Sequence, residues 1–128
     1  MAEVCAVLVV EPSDLFREFL DVIVDHAGYD VVAVDLGEGA QQLLERQRFD
    51  VVILASTGIG GRVDPVQLAR RATTAGARVL ITLDDPSHRR AFRADGYPML
   101  NKPFMPRTLI DALEQLRRHH SLDCGPRP

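Results

Sequence analysis

Val4-Cys5-Ala6-Val7-Leu8-Val9-Val10-Glu11-Pro12-Ser13-Asp14 is an apolar run followed by a sharp polar break. A short, Val-rich run without polar alternation reads as a strand covered on both faces. It is far too short to cross a bilayer. Ser13 or Asp14 can cap a helix. Leu15, Phe16, Phe19, Leu20, Ile23 and Val24 then recur at helical spacing until Gly28.

The same alternation of strand and helix continues outward from this unit. Tyr29 to Val34 reads as a second strand, and Ala40, Leu43 and Leu44 share one face of the helix after it. Phe49 to Leu54 is a Val/Ile-rich third strand, followed by a loop from Ala55 to Arg62. Asp64-Pro65 is a cap with proline in the first turn, and Val66, Leu68, Ala69 and Ala72 follow until Gly76. Arg78 to Leu83 is a fourth strand. Asp84-Asp85-Pro86 reads as the cap of a short polar helix reaching about Ala94 and ending at Gly96. Met99 and Leu100 form a brief fifth strand, and Leu109, Ile110, Leu113 and Leu116 make the last helix amphipathic.

Crossovers of this length require parallel pairing along a right-handed path. The expected fold class is α/β, a doubly wound five-stranded parallel sheet with five helices on its two faces. Functional loops in such sheets gather at the carboxyl ends of the strands. Those ends are Glu11, Ala55, Thr82 or Leu83, and Lys102. Residues 1–120 are expected to form one domain. Residues 121–128, with Gly125, Pro126 and Pro128, read as a flexible tail.

Composition narrows the function. Hydrophobic content is 46% with no Trp, so the core rests on Val, Leu, Ile and Ala. The formal net charge of -3 argues against broad nucleic-acid binding. Arg117, Arg118, His119 and His120 read as cations complementing a helix end. Cys5 and Cys124 lie far apart without CxxC spacing, which argues against a metal knuckle or redox pair and for a reduced, cytoplasmic setting. Glu3 and the lack of a basic segment before it argue against a signal peptide. Gly58, Gly60 and Gly61 lead to Arg62 rather than Gly-Lys-Ser/Thr, so the phosphate-loop pattern fails. His26, His88, His119 and His120 show no familiar metal-ligand spacing.

Val-Leu-Val-Val-Glu-Pro at 7–12, Phe49-Asp50-Val51-Val52-Ile53-Leu54, and Asp95-Gly96 followed by Asn101-Lys102-Pro103-Phe104 resemble, in that order, the receiver domain of two-component response regulators. The similarity covers roughly residues 4–118. It implies a flavodoxin-like, CheY-like sheet of order 2-1-3-4-5. It also implies that the family's two acidic positions fall on Glu11 and Pro12 and its phosphoacceptor on Ala55. Its switch hydroxyl then falls on Thr82, its aromatic switch position on Met99 and its lysine on Lys102. A cis bond before Pro103 is implied as well.

Pro12 has no side-chain ligand and the Ala55 methyl cannot attack phosphorus, so no metal and no cofactor is expected. A divalent cation wants several oxygen ligands, and Lys102 alone supplies little of the charge neutralisation that phosphoryl transfer needs. Ser56 and Thr57 adjoin Ala55, but an unactivated hydroxyl is a poor nucleophile. Lys102 is expected to pair with Glu11.

The chain thus reads as a non-enzymatic, stand-alone pseudo-receiver. Its expected partners are a histidine kinase, a phosphotransfer protein or another regulator, with neither nucleic acid nor membrane bound directly. A homodimer is the candidate assembly. The resemblance points to a face comprising Phe92, Arg93, Met99, Leu109 and Leu113. The alternative is a small-ligand or anion sensor using Glu11, Ser56, Thr57, Thr82 and Lys102.

Overall fold

A computed structural model describes residues 3–128; the signal-peptide reading falls partly on residues 1 and 2, outside those described. Five parallel strands form the main sheet: β1 (Ala6–Val10), β2 (Asp30–Val34), β3 (Val51–Ala55), β4 (Arg78–Leu83) and β5 (Met99–Asn101). Their order is β2-β1-β3-β4-β5, the order the resemblance implies. The helices are α1 (Asp14–His26), α2 (Glu38–Arg46), α3 (Pro65–Thr74), α4 (Arg89–Phe92) and α5 (Pro106–His119).

Side-chain alternation along the strands splits the core into two layers. Val7, Val9, Val51, Ile53 and Leu80 face α1 and α5, which bring Leu20, Ile23, Val24, Leu109, Leu113 and Leu116. Leu8, Val10, Val52, Leu54 and Ile81 face α2, α3 and α4, with Leu44, Leu68 and Phe92 opposite. Strands buried on both faces explain the unbroken apolar runs. Ser13 caps α1 by accepting from the Phe16 amide at 3.3 Å, and Asp64 caps α3 by accepting from Val66 at 3.0 Å.

The fourth helical segment departs from the single helix expected. It breaks into a 3₁₀ turn at Pro86–His88, the four-residue α4, and another 3₁₀ turn at Arg93–Asp95. Phe92 is its one buried side chain, so little packing enforces a regular helix.

The C-terminal segment also departs from expectation. Cys124–Gly125 pairs in parallel with Glu3–Val4, and Cys5 and Cys124 form a disulfide with Cα atoms 4.8 Å apart. The reading of two unrelated thiols is thereby corrected, as is that of a loose tail. The cause is topological: α5 packs beside α1, so the chain leaving α5 returns to the amino end of β1. Cys5 links the two pairings: its amide donates to Gly125 O at 2.9 Å and its carbonyl accepts from the Asp30 amide at 3.1 Å.

Arg127 completes the closure, donating to Tyr29 O at 3.0 Å and Asp25 O at 2.8 Å at the α1–β2 corner. Gly28 makes room there. Its φ is +103°, and an added Cβ would stand 2.8 Å from Pro126 Cβ and 2.9 Å from the Arg127 nitrogen. Gly28→Ala is expected to cost about 1–2 kcal/mol through the positive φ and the displaced tail. Urea unfolding checks this, with increased proteolysis after Ser121 as the local sign. No described helix is long and apolar enough to cross a membrane.

Candidate functional site

The carboxyl ends of β1, β3, β4 and β5 meet in one cleft. Glu11 follows β1 and is only 1% exposed. Its Oε2 accepts from the Ser13 amide at 2.9 Å, and its Oε1 accepts from Lys102 Nζ at 2.5 Å. Lys102 follows β5, where its amide donates to Leu83 O at 3.0 Å. The Lys102–Pro103 bond is cis. The ammonium lies 4.3 Å from the centroid of Phe16, a favourable cation–π distance. Phe16 is held by Phe19 at 5.2 Å and by an edge-on Phe104 at 5.6 Å.

Lys102 has a second acid partner. Its Nζ donates to Asp84 Oδ1 at 2.6 Å, while Asp84 Oδ2 accepts from the Thr57 amide at 2.8 Å and from the Thr57 hydroxyl. Ser56, fully buried, accepts from the Asp84 amide at 3.0 Å and shares a 2.7 Å hydrogen bond with His88 Nδ1. The cleft therefore holds two carboxylates around one ammonium. Two of that ammonium's three donors are committed to them.

Of the two acids read as a cap after β4, Asp85 caps, accepting from the Ser87 amide at 2.9 Å, and Asp84 does not. Asp84 is the first residue after β4, which puts it among the other strand-end groups. That position was the available signal, and the adjoining Asp85-Pro86 masked it. Ser56 and Thr57 are brought to the cleft as ligands of Asp84. His88 joins them through Ser56, a contact that no sequence spacing announced.

Ala55 ends β3 opposite Thr82 in the sheet register and is 2% exposed. Pro12 is only partly buried and adds no ligand. The Thr82 hydroxyl is buried with no hydrogen-bond partner among the described residues. Met99 is half-buried against the α2–α4 layer. The donor set does not fit a divalent cation. Both oxygens of Glu11 are already committed, and Pro12 and Ala55 offer none, where such an ion takes about six oxygen ligands. Elsewhere, Cys5, Asp50 and Cys124 cluster within 4.8 Å, with both sulfurs in the disulfide.

The expected interaction face needs correction. Phe92 and Leu109 are fully buried and Leu113 is 2% exposed, because the apolar stripes that single them out face the core. Only Arg93 and, in part, Met99 reach the surface. The most exposed apolar side chains lie elsewhere, on α1 and just before α5: Leu15 is 80% exposed, Val22 51% and Met105 70%. Leu15, Phe16, Phe19, Val22, Pro103 and Phe104 line one apolar groove.

Burial pushes the Asp84 carboxyl up, but hydrogen bonds from Lys102 and Thr57 and the Lys102 charge outweigh it and hold it below the usual carboxylate range. Its stabilising contribution is therefore complete above the unfolded-state pKa of about 4 and is lost as pH falls through the lower folded value. Denaturant midpoints should fall as pH drops below about 5. Asp84→Asn should start lower at neutral pH and lose less across that window. Parallel pH curves for the two proteins would contradict this assignment.

No family model matches the chain. It is 29% identical over 121 residues to the response regulator receiver protein CpdR of Brucella abortus, covering 86% of this chain and 94% of that protein. A response regulator receiver protein from Sinorhizobium medicae superposes with a TM-score of 0.80 at 22% identity, over 91% of this chain and 96% of that one. The signal receiver domain of a modulated diguanylate cyclase from Desulfovibrio desulfuricans gives 0.79 at 25% identity, over 94% and 99%. The chemotaxis protein CheY4 of Vibrio cholerae gives 0.72 at 25%, over 88% and 98%. The sheet order, the strand-end Glu11 and Lys102 and these likenesses give the chain the fold of response-regulator receiver domains, which it also resembles in sequence.

Proposed function

We propose that this receiver domain acts as a pseudo-receiver, binding protein partners without being phosphorylated at the end of β3. One observation carries the reading: β3 ends in Ala55, which brings no carboxylate, and at the neighbouring strand ends Glu11 and Asp84 already neutralise Lys102. The ammonium that would meet an incoming phosphoryl group is held by internal carboxylates. Asp84 is tied to β3 through Ser56 and Thr57, so the contact between the β3 and β4 ends needs no added group. The domain then stays in one state of the cleft, and its output depends on how much partner it meets. The hydroxyl set against an imidazole, Ser56 beside His88 Nδ1 at 2.7 Å, is fully buried and closed to a substrate, which supports a non-enzymatic role.

The partner class is a histidine kinase, a phosphotransfer protein or another regulator in the cytoplasm. Exposed Leu15 and Val22, which line one apolar groove with Phe16, Phe19 and Phe104, support protein binding, since contiguous exposed apolar side chains mark interaction surfaces. An anion-sensing role has less support, because an anion would have to displace Glu11 or Asp84 from Lys102. Amide and methyl NMR spectra recorded with Mg²⁺ and inorganic phosphate separate the two. Unmoved Thr57 and Lys102 resonances are expected. Saturable shifts there would transfer support to ligand sensing.

A further inference from the structure

The disulfide lies at the amino ends of the strands, the opposite end of the sheet from the cleft. We infer that Cys5 and Cys124 form a thiol–disulfide exchange site for low-molecular-weight thiols, whose state decides whether segment 122–127 stays docked. The non-covalent hold on that segment is limited. Its strand pairing is two residues long, and its backbone bonds are Cys5 N to Gly125 O, Leu122 N to Arg117 O and Arg127 N to Gly28 O. The Arg127 side chain donates to Tyr29 O and Asp25 O, and Leu122 packs in part on the core layer under α1 and α5. Its ion pairs, Arg127 with Asp25 and Asp30, are exposed on both sides. Exposed pairs contribute little. The covalent bond is what makes docking permanent.

Cys124 is 6% exposed and Cys5 1%, so the outer sulfur is the one a thiol reaches when the segment opens. A thiolate attacks Cys124 Sγ, the S–S bond breaks, and Cys5 leaves as thiolate and takes a proton. A second thiolate attacks the mixed disulfide, releasing Cys124 as its thiolate and giving one small-molecule disulfide. Two electrons pass from two thiols to the protein. An Asp50 carboxylate oxygen lies within 4.8 Å of both sulfurs. Its charge disfavours the departing thiolate and slows reduction, since exchange is faster when the leaving thiol has the lower pKa. Closure reverses these steps with an oxidised small thiol as electron acceptor. Release uncovers Gly28 and Tyr29 at the α1–β2 corner, now beneath Pro126 and Arg127.

The test equilibrates the full chain in a graded series of glutathione and glutathione disulfide buffers. Alkylation followed by intact mass counts free thiols, and hydrogen exchange is measured on the same samples. The dithiol fraction should follow the buffer ratio. In the dithiol form, amides of Cys5 and Arg127 should exchange at least ~100-fold faster, a larger increase than at β3 and β4 amides, which speed up only as far as global stability falls. Cys124→Ser should reproduce the dithiol pattern without any buffer. Asp50→Asn, which keeps the acceptor for the Ala6 amide, should be reduced several-fold faster by dithiothreitol. A pair that stays closed, or stays open, across the whole series overturns the inference. So does a tail equally protected in both forms or in Cys124→Ser, and so does an unchanged rate in Asp50→Asn.

Discussion

Lys102→Met is expected to lower the unfolding free energy by about 3–5 kcal/mol. Lys102 is 14% exposed and its partner Glu11 1%, so the substitution strands a buried carboxylate rather than a surface one. Breaking one side of a buried pair costs far more than the pair's net worth, because the remaining charge has lost its compensation. Methionine keeps the stem packed against Phe16, so lost volume does not dominate the result. Glu11→Gln in the same chain should recover much of the loss, and the double-mutant cycle isolates the charge interaction. The readout is the urea midpoint at constant slope. A change within about 0.5 kcal/mol would be that of an ordinary surface position and would contradict the buried pairing.

Cys124→Ser is expected to cost about 2–5 kcal/mol. The bond spans 119 residues, nearly the whole described chain, so it removes a large share of the unfolded ensemble's freedom. A melting-point drop on the order of 10 °C should accompany the loss. The native sheet should persist, because the five strands and the α2–α4 core layer hold no tail residue, and the tail adds only Cys124 and Leu122 to the layer under α1 and α5. Reductant should shift the wild-type protein equally and leave Cys124→Ser unmoved. Wild type and variant melting together under oxidising conditions would mean that the bond does not constrain the chain.

The fold was legible because local signals agreed with one another. Doubly buried strands gave unbroken Val/Ile/Leu runs, while Ser13 and Asp64-Pro65 marked the starts of α1 and α3. The Glu11–Lys102 pair followed from two strand ends that the topology brings together. Asp84 was harder to place. A carboxylate before Asp85-Pro86 reads as a cap, and only the backbone path after Leu83 shows which of two adjacent acids turns into the cleft. The apolar stripe of α5 identified Leu109 and Leu113, but a stripe marks the buried face, so these residues could not also form a docking surface. Cys5 and Cys124 are joined by a return path from α5 that no local pattern encodes. The tail's Gly and Pro residues read as disorder because their contacts, to Gly28 and Tyr29, are all long-range.

Intact-mass measurement after incubation with acetyl phosphate and Mg²⁺ goes most directly to the claim that this cleft takes no phosphoryl group. A protein of unchanged mass is expected, at an exposure long enough to label fully a receiver carrying an acceptor aspartate. A stoichiometric, hydroxylamine-sensitive phosphoryl adduct on any cleft carboxylate would contradict it.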